Sequence, residues 1–380
     1  MSTRSEVDGK VAPGYEAVRE AFARLLADGV ERGAAAAAFH DGRMVVDLWA
    51  GTVRSDSLVH LYSVTKPLAA ACALWLVDRG VLELDAPVAA LWPEYGQGGK
   101  QDTTLRHLLS HQAGLLGWRA AQPLEALLDH DRAAGLLAAE PAWWPPGTGH
   151  GEHALFYGTL LGEVVRRADG RSLGALFREE FARPWDLDVH IGLTSADEGR
   201  VAPLADPDRR WPAALLDGRD ESYRLALDNP PALAHLDVVN SSAWRRAEVP
   251  AVNAHGTARG VARFYAGLLG GGELGGVRVL SEQTVAAMTS PQTAGPDRLL
   301  GQHTTWGLGV GLEDGGWGMG GIGGSLGWAL PSRSLAWAYA TTRIGDYDRA
   351  LAFEASLLAA IDALHQQQTR RSAACRAKEQ

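Results

Sequence analysis

Strand-type patterns in this chain of 380 residues lie close to its two ends, so any sheet must be assembled from segments separated by most of the sequence. Ala34 to Phe39 and Met44 to Trp49 flank Asp41-Gly42, a pair that favours the tight turn of a two-stranded hairpin. Sheet signals return only in Trp306-Gly307-Leu308-Gly309-Val310-Gly311-Leu312, Gly323-Gly324-Ser325-Leu326-Gly327-Trp328 and Leu335 to Thr341, read as antiparallel strands joined by glycine-rich turns. Between about residues 80 and 250 the pattern is helices, loops and clusters such as Trp143-Trp144-Pro145-Pro146. The chain is therefore read as a discontinuous α/β unit, residues 1–80 and 255–365, interrupted by a mainly helical unit, residues 81–254.

Helices bracket the sheet segments. Val18, Phe22, Leu25 and Leu26 share one stripe of a helix from about Gly14 to Gly29, where the glycine can serve as a C-cap. A last apolar helix is predicted from Arg349 to Leu364, and the polar run from Gln366 to Gln380 is read as a disordered tail.

Chemistry is suggested by Ser63-Val64-Thr65-Lys66, set at the start of the apolar run Leu68 to Val77. A hydroxyl and an amine three residues apart face the same way at a helix start, so the amine can take the hydroxyl proton. A serine is a weak nucleophile at neutral pH, whereas a desolvated lysine can lose its proton and act as base. The helix N-terminus adds a backbone N–H for a developing oxyanion. By itself the same pattern also describes a capped helix followed by a solvated lysine.

Composition narrows the alternatives. With 36 Lys+Arg against 45 Asp+Glu the formal charge is -9, and no basic cluster offers a footprint for nucleic acid or an anionic membrane. Cys72 and Cys375 lie in an apolar helix and in the polar tail, which suggests neither a disulfide framework nor a thiolate metal site. The N-terminal residues show no apolar leader and no apolar run reaches spanning length, so the protein is read as cytoplasmic.

Further motifs follow Ser63 in order: Leu105-Arg106-His107-Leu108-Leu109-Ser110-His111-Gln112-Ala113-Gly114-Leu115, Pro146-Gly147-Thr148, Asn253-Ala254-His255-Gly256-Thr257-Ala258-Arg259 and Gly321-Ile322-Gly323-Gly324-Ser325-Leu326-Gly327. Together they resemble the serine β-lactamase-like superfamily, particularly class C β-lactamases and family VIII carboxylesterases, from the first helix to about residue 364. The resemblance implies an α+β fold of the β-lactamase and penicillin-binding-protein type, with an antiparallel sheet flanked by helices and an all-helical region beside it. It places a catalytic cleft between the two and makes Ser63 the nucleophile beside Lys66. It also makes the backbone N–H groups of Ser63 and Ile322 the oxyanion donors. His107 and His111 are read as a structural helix end and loop, and no metal or cofactor is expected.

Two motifs depart from the pattern. The look-alikes carry a proton-shuttling tyrosine shortly after Pro-Gly-Thr, and the corresponding residue here is Glu152; Tyr157 is read as structural. Where they carry a lysine or histidine on the strand lining the cleft, this chain has Met319, which can only pack or contact an apolar substrate. A carboxylate facing Lys66 either accepts the proton itself or forms a tuned ion pair; alternatively Glu152 points to solvent.

Ser63, Lys66 and Glu152 are thus the expected catalytic residues, and His153, Met319, Gly321 and Trp317 the expected substrate contacts. His150, His153 and His255 are further candidates for proton transfer, with His255 favoured as structural. The expected reaction is acyl transfer from a small ester or amide-like substrate through acyl-Ser63, by a carboxylesterase-like hydrolase or a specialised biosynthetic acyltransferase. The rival reading is a repurposed fold that binds a metabolite or performs non-covalent cyclisation or elimination with Glu152 as base.

Overall fold

Large and small side chains alternate along Leu335-Ala336-Trp337-Ala338-Tyr339-Ala340, and this alternation sets the layers of the molecule. Leu335, Trp337 and Tyr339 enter one hydrophobic cluster, while Ala336, Ala338 and Ala340 enter the other, on the opposite face. The computed structural model, which describes residues 7–376, places this strand inside a nine-stranded antiparallel sheet. Its strands are β1 (Asp8–Val11), β2 (Gly33–His40), β3 (Arg43–Gly51), β4 (Thr293–Pro296), β5 (His303–Trp306), β6 (Gly311–Glu313), β7 (Gly316–Gly320), β8 (Leu326–Leu330) and β9 (Leu335–Thr341). The spatial order is β1-β3-β2-β9-β8-β7-β6-β5-β4, so the two ends of the chain meet where β2 pairs with β9.

The principal helices are α1 (Glu16–Ala27), α2 (Thr65–Asp78), α3 (Tyr157–Asp169), α4 (Ala258–Leu269) and α5 (Asp348–Arg376). Val18, Phe22 and Leu26 of α1 and Phe353, Leu357 and Ile361 of α5 cover the large-residue face. On the alanine face the backbone is open to close approach. Val261, Phe264 and Tyr265 of α4 pack there, and a Cβ on Gly327 would lie 2.3 Å from the Tyr265 ring. α2 is apolar on all sides and is buried from Thr65 to Leu76, as a central core helix must be. Its N-terminal end, which carries Ser63 and Lys66, is therefore held from every direction.

The hairpin at Asp41-Gly42 forms with φ of 50° and 70°, the left-handed pair that a two-residue turn of this twist requires. The stretch from Trp306 to Leu312 is not one strand. It is the end of β5, a turn and the start of β6, with Gly309 at φ 91°, where a Cβ would lie 2.2 Å from the Ala70 Cβ of α2. The expected tail also differs, since α5 runs on through Arg376. Residues 365–376 contain neither Gly nor Pro and are rich in Gln, Arg and Ala, which sustain a helix; residues 377–380 lie outside the described residues. Between residues 81 and 254 the chain forms helices and loops with one two-residue strand, Val189–His190, paired to His255–Gly256. No helix among the described residues is long and apolar enough to cross a membrane.

A buried ion pair ties the chain ends together. Arg349 Nη1 lies 3.1 Å from Glu31 Oε2 and also donates to the Arg343 carbonyl at 2.8 Å, while Tyr339 and Thr341 donate their hydroxyls to the same carboxylate. Removing one partner leaves the other charge buried and uncompensated. Arg349→Met is expected to lower stability by about 3–5 kcal/mol, read as a lower midpoint of urea unfolding.

Candidate active site

Ser63 sits on a turn that the neighbouring chain holds rigidly. Val59–His60 pairs with His255–Gly256, and the Leu61 N–H donates to the Ala254 carbonyl. Tyr62 then takes φ 46°, a left-handed conformation unusual for a side chain of this size, which swings Ser63 to the head of α2. Thr65 locks the turn by donating its hydroxyl to the Tyr62 carbonyl at 2.6 Å and accepting from the Ala254 N–H at 3.0 Å. The Val64 and Thr65 N–H groups are taken up within the turn, by the Leu61 and Tyr62 carbonyls, which continues the helix back to the serine.

Lys66 is fully buried and its Nζ faces Ser63 Oγ at 2.7 Å. The Ala154 carbonyl lies at 2.9 Å, the Ala251 carbonyl at 3.4 Å and Glu152 Oε1 at 3.1 Å. Burial pushes the Lys66 pKa down from its ordinary value, and the Glu152 charge pushes part of the way back. A neutral amine in this shell donates two N–H groups to carbonyl or carboxylate oxygens and offers its lone pair to the serine proton. After taking that proton it is an ammonium with a carboxylate already in contact.

Glu152 reaches Lys66 because its loop is fixed residue by residue. Gly147 donates to the Gln112 carbonyl, Gly151 to the His111 carbonyl, and the His153 N–H to His111 Nδ1 at 3.1 Å. The Glu152 N–H itself donates to Asp297 Oδ1 at 3.2 Å. His150 is gripped between the Thr293 and Thr304 hydroxyls, at 3.0 Å and 2.9 Å, on β4 and β5. The far edge of the sheet thus serves as a clamp for the carboxylate.

The opposite wall is the segment after β7. A Cβ on Gly321 would lie 2.4 Å from the Leu61 carbonyl oxygen and 3.0 Å from the Tyr62 Cβ, so only glycine lets this backbone rest on the Ser63 turn. Ile322 follows directly, and no backbone carbonyl among the described residues accepts from its N–H. A serine, a buried amine and a carboxylate therefore converge at one place, with the backbone of Gly321 resting on the turn that carries the serine.

Comparison with known proteins agrees with that chemistry. The family model described as Beta-lactamase matches residues 18–360. The chain belongs to this family. A curated relative, the esterase/beta-lactamase LipL of Mycobacterium tuberculosis, is 35% identical over 367 residues, spanning 89% of this chain and 83% of that protein. A solved family VIII carboxylesterase superposes with a TM-score of 0.86 at 36% identity, covering 93% of this chain and 100% of the other. A penicillin-binding-protein homologue from Caulobacter crescentus gives 0.84 at 33% identity, again over 93% and 100%. The protein is thus a serine hydrolase of the β-lactamase-like superfamily.

Within this β-lactamase-family site, several of the expected substrate contacts are buried. Strand alternation puts Trp317 and Met319 on the same face of β7, where Trp317 packs on Tyr265 at 5.9 Å and Met319 is buried. His153 is fully enclosed against His111, and its burial lowers its pKa to about 3, which favours the neutral imidazole. Gly321 contributes backbone shape. His111 and Tyr157 pack on each other, and Tyr157 donates to the Leu109 carbonyl, a structural role. His255 is enclosed beside His60 and bonds the Asn253 carbonyl. Among the described residues no group of three or more His, Cys, Asp or Glu is placed to hold a metal ion.

Three residues near the site carry no sequence signal. Tyr223 and Tyr347 both feel the Glu152 charge, which adds to burial in raising their pKa values and keeps both phenols protonated. Asp297, 1% exposed, takes the N–H groups of Glu152, Leu299 and Leu300 on one oxygen and the Trp306 indole N–H on the other. Its only sequence trace is an aspartate in a loop between short strands, a common turn residue. Asp297→Ala frees the Glu152 loop, and a displacement of about 1 Å can cost a factor of about 10² in rate. Labelling of Ser63 by a fluorophosphonate probe is expected to slow by about that factor while the protein remains folded.

Proposed function

We propose that this protein hydrolyses small neutral carboxylic esters through an acyl-Ser63 intermediate. The observation that carries the reading is the 2.7 Å contact from a buried Lys66 Nζ to Ser63 Oγ. Lys66 takes the hydroxyl proton while Oγ attacks the carbonyl carbon, and the oxyanion rests on the N–H groups of Ser63 and Ile322. Collapse breaks the ester C–O bond, and the leaving alkoxide takes the proton back from the Lys66 ammonium. Water, activated by the same amine, then releases the acid. Glu152 holds Lys66 in place and offsets its positive charge in the interval.

Substrate class follows from what the cleft lacks. Met319 replaces a cation, and Gly320 beside it has no side chain, so this strand offers nothing to hold a substrate carboxylate. An uncharged ester fits better than a β-lactam. An alcohol or amine can replace water as acceptor, which would make the same acyl-enzyme an acyltransferase.

Intact-protein mass spectrometry during turnover of p-nitrophenyl acetate tests the reading. An acetyl adduct on Ser63 is expected in the wild type and none in Ser63→Ala, whose turnover falls at least about 10³-fold. Retention of activity by Ser63→Ala would move the chemistry to Glu152 acting as a base without a covalent step. Adding butanol as acceptor distinguishes transfer from hydrolysis by the appearance of butyl acetate.

A further inference from the structure

The residue before the nucleophile breaks a local rule. Tyr62 holds φ 46°, a left-handed conformation in which glycine is at ease and a side chain carries a cost. A large aromatic persists at such a position only where its surroundings over-determine it. Tyr62 is buried, stands perpendicular to the His60 ring at 4.4 Å and lies 6.3 Å from the Trp211 ring. Its hydroxyl reaches the Leu233 carbonyl at 3.5 Å, the acceptor that also takes the Trp211 indole N–H at 3.0 Å. The phenol is thus engaged by the helical stretch and not by Ser63. What it offers the site is its ring.

That ring meets the loop that joins β7 to β8. A Cβ on Gly321 would lie 3.0 Å from the Tyr62 Cβ, and one on Gly323 would lie 3.0 Å from Cε2 and 3.2 Å from Cδ2 of the ring. The two glycines that flank Ile322 therefore both rest on Tyr62, with little room for a side chain on either. The loop is closed on itself, by the Gly321 N–H to the Ser325 carbonyl at 2.7 Å and the Gly324 N–H to the Gly321 carbonyl at 2.8 Å. In the turn from Gly321 to Gly324, Ile322 is the first corner residue, whose N–H the turn does not use. Gly345 holds the loop from behind by donating to the Gly323 carbonyl at 3.2 Å. Among the described residues no hydrogen bond joins residues 321–325 to residues 61–65. The separation of the Ile322 N–H from Ser63 is set instead by contact with Tyr62 and the Leu61 carbonyl.

We propose that the Tyr62 ring is a spacer that fixes the distance between Ser63 and the Ile322 N–H, which makes Tyr62 a positioning residue for the oxyanion. This rests on the ester-hydrolase reading, in which those two N–H groups hold the oxyanion. A smaller residue lets the loop settle toward the serine turn, where the two donors no longer converge on one oxygen. Their hydrogen bonds strengthen only as charge develops on that oxygen, so the cost falls on kcat rather than on substrate binding.

Turnover of p-nitrophenyl acetate by variants of position 62 tests this on the intact chain. Tyr62→Ala is expected to lower kcat about 10²-fold with KM changed less than about threefold, as when one oxyanion donor is lost. Tyr62→Gly should fall as far, although glycine suits the backbone, and Tyr62→Phe, which keeps the ring, should recover most of the wild-type kcat. Tyr62→Leu, expected between Tyr62→Phe and Tyr62→Ala, stands in if the smaller variants do not fold. Wild-type kcat in a folded Tyr62→Ala or Tyr62→Leu protein, a loss confined to KM, or Tyr62→Phe as slow as Tyr62→Ala overturns the proposal. Affinity for phenylboronic acid, whose tetrahedral adduct on Ser63 places an oxygen on the same two N–H groups, separates the spacer from the ester reading. It is expected to fall in Tyr62→Ala by about the factor lost in kcat and to return in Tyr62→Phe, even in a protein that turns over no ester. Equal boronate affinity in wild type and Tyr62→Ala, or no adduct on the wild-type Ser63, refutes the spacer whether or not esters are hydrolysed.

Discussion

Everything in the site depends on keeping a lysine dry beside a carboxylate. Lys66 is fully buried, and burial favours its neutral form, while Glu152 at 3.1 Å favours the charged one. In the proposed mechanism this balance lets one amine serve as base toward Ser63 and then exist as an ammonium without leaving its position. A carboxylate beside the lysine opposes the effect of burial and stabilises the ammonium when it forms.

The fold exists to hold that pair in register. α2 is embedded on all sides, so Ser63 and Lys66 cannot move relative to the sheet. Glu152 comes from the helical stretch but is clamped by Asp297 and the β4–β5 edge, so the two halves of the chain meet at the carboxylate. The Arg349–Glu31 pair closes the far side, joining the start of α5 to the connection between α1 and β2. These contacts leave the Ser63 cleft narrow, with the serine only 5% exposed.

Much of this was readable in the sequence. Alternation and Asp41-Gly42 placed the hairpin, the apolar run after Lys66 placed the central helix, and the order of motifs led to the fold. Glu152 was identified by its place after Pro146-Gly147-Thr148, and the structure brings it to Lys66. What sequence could not reach was how enclosed β7 is: Trp317 follows the strand period into the core against Tyr265, and Met319 on the same face is buried. Asp297, Tyr223 and Tyr347 were missed because each comes to the site through tertiary packing from distant segments with no motif of its own. The helix continues beyond Leu364 because its polar residues are good helix formers, and polarity alone does not separate an exposed helix from a disordered tail.

The pH dependence of Ser63 acylation in the wild type and in Glu152→Gln tests the central claim most directly. Acylation needs neutral Lys66, so its rate rises as pH rises through the Lys66 pKa. Glu152 pushes that pKa up, and a neutral glutamine removes the push. Pre-steady-state bursts with p-nitrophenyl acetate are therefore expected to show the rising limb displaced to lower pH in Glu152→Gln, with acylation retained above it. A limb displaced to higher pH, or no acylation at any pH in a folded Glu152→Gln protein, would contradict Lys66 as the base.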